Sequence, residues 1–102
     1  MNDRKRLPNR RQSMHFEVAH MGVVYQCGVS DGVDGGLGEV FINGGQAGSD
    51  LEAATRDLAV VTSIALQHGC GVQTIRDALT MRETGPAGPL GAMFDKLAEF
   101  EK

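Results

Sequence analysis

The sequence predicts an α+β fold: a three-stranded antiparallel sheet (a meander) followed by three helices, with a central helix at about residues 49–68. Three observations predict it. Apolar and polar residues alternate with period two in short runs before residue 44. A capped helix with apolar steps of three and four begins at Ser49, and the later apolar patterns keep helical spacing. Strands first and helices after is the order of an α+β layer, three strands covered by helices.

The 102 residues make one domain, since a chain of this size buries about two-thirds of its unfolded surface and needs no staples. Residues 1–12 read as a flexible basic arm and residues 13–102 as the single domain. Pro8 keeps a helix from crossing the arm. Met14-His15-Phe16-Glu17-Val18 alternates as a half-buried strand, and His20-Met21-Gly22 turns the chain. Val23, Tyr25, Cys27 and Val29 fall on one face of a second strand. Ser30 to Gly36 has loop composition, rich in residues that tolerate positive φ. A third strand, about Glu39 to Asn43, closes the meander.

Ser49 is an N-cap, and Glu52 three residues on completes a capping box. Leu51, Ala54, Leu58, Val61 and Ala65 form one apolar face of the helix that follows. Val60, Ile64 and Leu66 widen that face until it nearly encircles the helix. The expectation is a core helix with other elements packed on more than one side. Gly69 suits the C′ position. Val72, Ile75 and Leu79 set the face of a short second helix. Pro89 opens a third, whose inner face is Leu90, Met93, Phe94, Leu97 and Phe100.

Composition bounds the function. No stretch approaches the ~20 apolar residues of a membrane span, and the basic N-terminal segment lacks the apolar core of a secretory signal. Cys27 and Cys70 form no C-x-x-C pair, so a reduced, cytoplasmic chain is the expectation. The net charge of −3 is uneven: Arg4, Lys5, Arg6, Arg10 and Arg11 stand against Asp3 alone, a charge of +4, and the remaining five basic and twelve acidic groups leave −7. The body repels nucleic acid, whereas the arm is able to touch it or an acidic protein. The plainer reading of such an arm is a solvated tail.

The turn between the third strand and the central helix is the candidate binding site: Asn43, Gly44, Gly45, Gly48, Ser49 and Asp50. Free N–H groups and the helix dipole favour an anion there. Against it, Asp50 and Glu52 occupy the first turn, no Lys follows the glycines, and the spacing fits neither the P-loop nor the dinucleotide fingerprint. The plainer reading gives the glycines positive φ and close packing. His15, Glu17 and Cys27 are three potential metal ligands without a fourth, and Asp31 with Asp34 lacks the spacing of a calcium loop. No metal site is assigned. His68 and Cys70 flank Gly69 with no base placed beside the thiol. No catalytic residue is assigned either.

The run Gly38-Glu39-Val40-Phe41-Ile42-Asn43, then Gly48-Ser49-Asp50-Leu51-Glu52, resembles the TSCPD domain family. Ser63-Ile64-Ala65-Leu66-Gln67-His68-Gly69 and Thr74-Ile75-Arg76-Asp77-Ala78-Leu79 continue the likeness, which covers residues 14–97. Gly88-Pro89-Leu90-Gly91 is similar to small members of the family that stand alone. Most members are C-terminal domains of adenosylcobalamin-dependent ribonucleotide reductases. The resemblance therefore implies a link to DNA synthesis: reduction of ribonucleoside diphosphates, nucleotide binding, thioredoxin as reductant, and adenosylcobalamin as the radical source of the full-length enzyme. The Thr-Ser-Cys-Pro-Asp signature is missing, Gln46 stands where the family often has a lysine, and no C-terminal cysteine pair is present. A chain of this length also lacks the barrel that holds the cofactor.

Two functions are expected from this. The first is a stand-alone accessory or interaction module, not catalytic alone and binding no cofactor itself, which docks on a ribonucleotide reductase, a nucleotide or a second copy. The alternative is a small nucleic-acid-associated regulatory protein working through its arm. Measuring duplex DNA affinity against salt, with and without residues 1–12, separates them: four phosphate contacts give a log–log slope near −3.6, at roughly 0.9 per contact. Absence of salt-dependent binding removes the alternative.

Overall fold

The computed structural model describes residues 12–32 and 36–100. Strands β1 (Ser13–His20), β2 (Val23–Asp31) and β3 (Leu37–Gly44) form one sheet in the order β1-β2-β3, antiparallel throughout. This is the predicted meander. The β1–β2 hairpin turns on Met21 and Gly22, at φ 51° and 81°. Two successive positive φ values match the right-handed twist of the strands they join.

Register sets which face is apolar. Phe16 pairs with Cys27 and Val18 with Tyr25, while Cys27 pairs with Ile42 and Val29 with Val40. These side chains therefore share one face, and the core gathers on it. Helix α3 (Pro89–Phe100) closes that face with Leu90, Met93, Phe94 and Leu97, all buried as their spacing predicts. Phe100 is half exposed at its end, with its ring edge-on to Phe16 at 5.4 Å. Helix α2 (Val72–Ala78) adds partly buried Val72 and Ile75, and Leu79 follows at its C-cap. The segment between the last two helices contains a small hairpin, β4 (Met81–Arg82) with β5 (Gly85–Pro86).

Helix α1 (Asp50–Gln67) has the predicted ends. Ser49 Oγ accepts from the Glu52 N–H at 3.1 Å. The reciprocal bond falls one residue earlier than a capping box places it: Glu52 Oε1 accepts from the Gly48 N–H at 2.8 Å, while the Ser49 N–H is bonded to Gln46 O. At the other end Gly69, at φ 96°, donates to Leu66 O and Cys70 donates to Ala65 O, the paired bonds of a Schellman cap.

The surroundings of α1 differ from expectation. It is not submerged. Its buried residues are Thr55, Ala59, Thr62, Ser63, Leu66 and Gln67, whereas Leu51, Ala54, Leu58 and Val61 face solvent. Val61 is 64% exposed and Val60 57%. The reason is where the helix lies. It runs along the outer edge of β3, where the strand presents backbone groups instead of side chains. Ser63 Oγ accepts from the Val40 N–H at 2.9 Å and lies within donor reach of Val40 O at 3.0 Å and Ala59 O at 2.9 Å. Gln67 Nε2 donates to Gly38 O at 2.7 Å. An edge strand needs polar partners, so the polar and small side of α1 turns inward. Of the apolar residues counted toward its inner face, Leu66 is buried.

Ser63→Ala should therefore destabilise the fold by about 2 kcal/mol, since Val40 keeps a buried N–H and C=O without this partner. Phe94→Ala should cost about 3–5 kcal/mol, and Val61→Ala within about 0.5 kcal/mol. Urea unfolding of the three variants checks the order. A larger loss at Val61 than at Ser63 would contradict an edge-docked α1.

Candidate functional site

The turn from Asn43 to Asp50 is built to start α1. Gly45 and Gly48 have φ values of 85° and 81°, which only glycine adopts freely. Gly44 is closely covered: a Cβ there would come 2.4 Å from Tyr25 Cδ2. The ring of Tyr25 thus fills the space a side chain would take. The N–H groups of Gly48 and Glu52 are engaged by Glu52 and Ser49, and the carboxylates of Asp50 and Glu52 flank them. Asn43 Oδ1 is buried beside this turn with no hydrogen-bond partner. Of the six candidate residues, Gly48 donates its N–H to Glu52 Oε1, Ser49 donates to Gln46 O, and Ser49 Oγ accepts from the Glu52 N–H.

The second surface is the sheet face opposite the core. Its rows follow from the register: Ser13, Ser30 and Glu39; then His15, Gly28 and Phe41; then Glu17, Gln26 and Asn43. The imidazole of His15 lies over Gly28, where a Cβ would meet Nδ1 at 3.1 Å. Ser30 Oγ donates to Glu39 Oε1 at 3.3 Å, and Gln26 Nε2 donates to Glu17 Oε2. A shallow cleft of about 250 Å³ runs between these rows.

The sheet separates the potential metal ligands. His15 and Glu17 project from this open face, while Cys27 is buried on the other. His20 reaches Ala87 O at 3.3 Å. Among the described residues no group of three or more His, Cys, Asp or Glu is placed to hold a metal ion. Asp31 is described, but Asp34 and the arm residues Arg4, Lys5, Arg6, Arg10 and Arg11 lie outside the described residues.

Both cysteines are free thiols. Burial pushes the Cys27 thiol up to about 11, so it stays protonated and packs as a small apolar group. Cys70 is half-buried, with Sγ 3.8 Å from Gly71 O. Neither has a hydrogen-bonded base of the kind that activates a nucleophile.

The third surface is the outward side of α1, a feature absent from the sequence reading because those residues were assigned to the core. Leu51, Leu58 and Val61 are exposed along one strip of the helix, and Val60 and Ile64 are exposed on the flank toward β3. Val60 and Ile64 continue into a groove of about 510 Å³ against β3, with Phe41, Glu39 and Arg56 on its walls. The last helix keeps Met93 and Phe94 fully buried and leaves Phe100 half exposed at its end. Among the described residues no helix is long and apolar enough to cross a membrane.

A family model described as the TSCPD domain matches residues 3–99. The chain is 30% identical over 90 residues to a vitamin B12-dependent ribonucleotide reductase of Bradyrhizobium diazoefficiens, a match covering 88% of this chain and 7% of the relative. It is 30% identical over 86 residues to the vitamin B12-dependent ribonucleotide reductase of Agrobacterium fabrum, covering 84% and 7%. The matched region is thus a small fraction of either relative's length. No solved structure gives a significant match.

The cysteines yield two expected outcomes. Iodoacetamide at pH 8 should label Cys70 in the native protein and Cys27 only after denaturation, as read by peptide mass. A neutral thiol raised from 9.0 to about 11 is stabilising below the lower value, because the unfolded chain ionises first. Burial raises Tyr25 in the same sense. Urea midpoints should therefore fall as pH rises from about 9 to about 11, and less so in Cys27→Ala relative to its own value at neutral pH.

Proposed function

We propose, from the premise that this chain belongs to the TSCPD domain family, that it serves ribonucleotide reduction as an accessory module that docks and is not catalytic alone. The observation that carries this reading is the character of its surface. Among the described residues, α1, a helix of 18 residues, exposes Leu51, Leu58, Val60, Val61 and Ile64. The described cysteines, histidines and carboxylates, by contrast, form no nucleophile–base or metal-ligand set. Surfaces of that kind exclude water against another protein surface; they do not stabilise a reacting atom.

The link to reductases rests on the relatives. Both are named for vitamin B12 and for ribonucleotide reduction, and this chain corresponds to 7% of each. The described clefts, of about 250 to 510 Å³, are open to solvent and none encloses a ligand as large as a corrinoid. In this reading the cofactor belongs to the reductase, and the module contributes a binding surface in the cytoplasm.

Mixing the purified chain with a vitamin B12-dependent ribonucleotide reductase should give a complex by calorimetry and alter reductase turnover. The chain assayed alone with adenosylcobalamin, a ribonucleoside diphosphate and a dithiol should produce no deoxyribonucleotide. Turnover by the chain alone would overturn the proposal, as would a reductase that neither binds it nor responds to it.

A further inference from the structure

We propose that two copies of this chain join edge to edge through β1, antiparallel about a two-fold axis, so that their sheets become one. This goes beyond the docking reading above, since β1 lies at the edge of the sheet opposite β3 and α1. The first observation is which backbone groups face outward there. The Asp31 N–H donates to Gln12 O at 3.0 Å, so these two residues form a hydrogen-bonded pair of the β1–β2 ladder. Alternation then turns the backbone groups of Met14, Phe16, Val18 and His20 toward β2, and those of Ser13, His15, Glu17 and Ala19 away from it. Carried across the sheet, the same alternation turns Val40 outward from β3, where Ser63 meets it. At β1, among the described residues, no hydrogen bond reaches the N–H or C=O of Ser13, His15, Glu17 or Ala19.

This strand also lacks the features that protect an exposed edge. Its 8 residues include neither Pro nor Lys, and its register with β2 runs from Ser13 to His20 without a bulge. Apolar groups beside it stay partly in water. Met14 is 42% exposed, and so is 47% of Phe100, whose ring stands against Phe16. A regular, open edge of this kind is where a further strand adds, with main-chain bonds supplying the affinity.

Register and charge select a second copy as that strand. Outward groups must meet outward groups, which restricts β1 and its mate to every second register. Two of these align most of the strand, over Met14 to His20 or over Ser13 to Ala19. The first sets Glu17 opposite the partner's Glu17, and like charges directly opposite destabilise a strand pair. The second sets His15 opposite the partner's Glu17, twice per dimer, so that imidazole faces carboxylate on the open face. Phe16 then meets the partner's Phe16 on the axis, on the core side, with Met14 opposite the partner's Val18. Ser13 stands opposite the partner's Ala19. Four outward pairs exchanging two bonds each give about eight backbone hydrogen bonds, where a typical interface has about ten in all. A two-fold interface needs a patch complementary to itself, and β1 is one.

Sedimentation equilibrium of the full chain over micromolar to millimolar concentration should show a monomer–dimer equilibrium. By NMR, the amides of Ser13, His15, Glu17 and Ala19 should exchange fast in the dilute monomer and slowly where the dimer forms. Those of Met14, Phe16 and Val18 should be protected in both. Glu17→Pro removes an outward N–H that the monomer does not use, so the circular dichroism should survive and the dimer should be lost. His15→Glu should raise the dimer dissociation constant roughly thirtyfold, because a repulsive pair replaces an attractive one at two places. Adding Glu17→Lys should restore the dimer, and Val61→Glu on α1 should leave it unchanged. A chain that stays monomeric, a dimer indifferent to Glu17→Pro, or a double variant no tighter than His15→Glu overturns the edge pairing. So does a dimer dissolved by Val61→Glu, or outward amides already protected in the monomer, since another part of the chain then covers the edge.

Discussion

Along its free side β3 carries the N–H and C=O of Val40 and the C=O of Gly38, groups that β2 cannot reach. Ser63 and Gln67 take them up from α1, at 2.7 to 3.0 Å. Buried backbone groups left without partners cost about as much as a lost hydrogen bond each. The demand of that edge outranks the preference of α1 for burying its leucines and valines. The helix lies beside the sheet, its hydroxyls and amide turned in and its apolar stripe turned out. The other features of the surface follow from that orientation.

With α1 at the edge, the apolar face of the sheet is left to α3, which fills it with Leu90, Met93, Phe94 and Leu97. Cys27 belongs to this core, and its raised thiol is a consequence of packing instead of chemistry. The opposite face stays open, with His15 resting over Gly28 and Phe41 beside it. A three-stranded sheet thus has one face closed, one edge sealed by hydrogen bonds, and one face in water. The reactive residue types are dispersed among these environments, and among the described residues no group of three or more His, Cys, Asp or Glu is placed to hold a metal ion.

The two vitamin B12-dependent ribonucleotide reductases that this chain resembles are far longer than it is. The bonds from α1 to Val40 and Gly38 lie on one side of the helix, and Leu58 and Val61 are exposed on the other. The same 18 residues thus seal the sheet inward and keep an apolar stripe in solvent.

Much of this protein was legible in its sequence because local chemistry decides it. Ser49, Glu52 and Gly69 specify the ends of α1 whatever packs around it. The spacing of Leu90, Met93, Phe94 and Leu97 is the buried face of α3, whereas only the strand register sets Cys27 on the face opposite His15 and Glu17, so alternation alone left the three together as potential ligands. The candidate turn at Asn43 to Asp50 was likewise locatable, but only the coordinates show its N–H groups engaged by Ser49 and Glu52. What periodicity could not supply was the side of α1 that faces inward. An apolar stripe reports a surface that avoids water, not which body covers it. Only the tertiary structure, by placing a strand edge with unpaired backbone groups against this helix, decided that Ser63 and Gln67 go in and Leu58 and Val61 stay out.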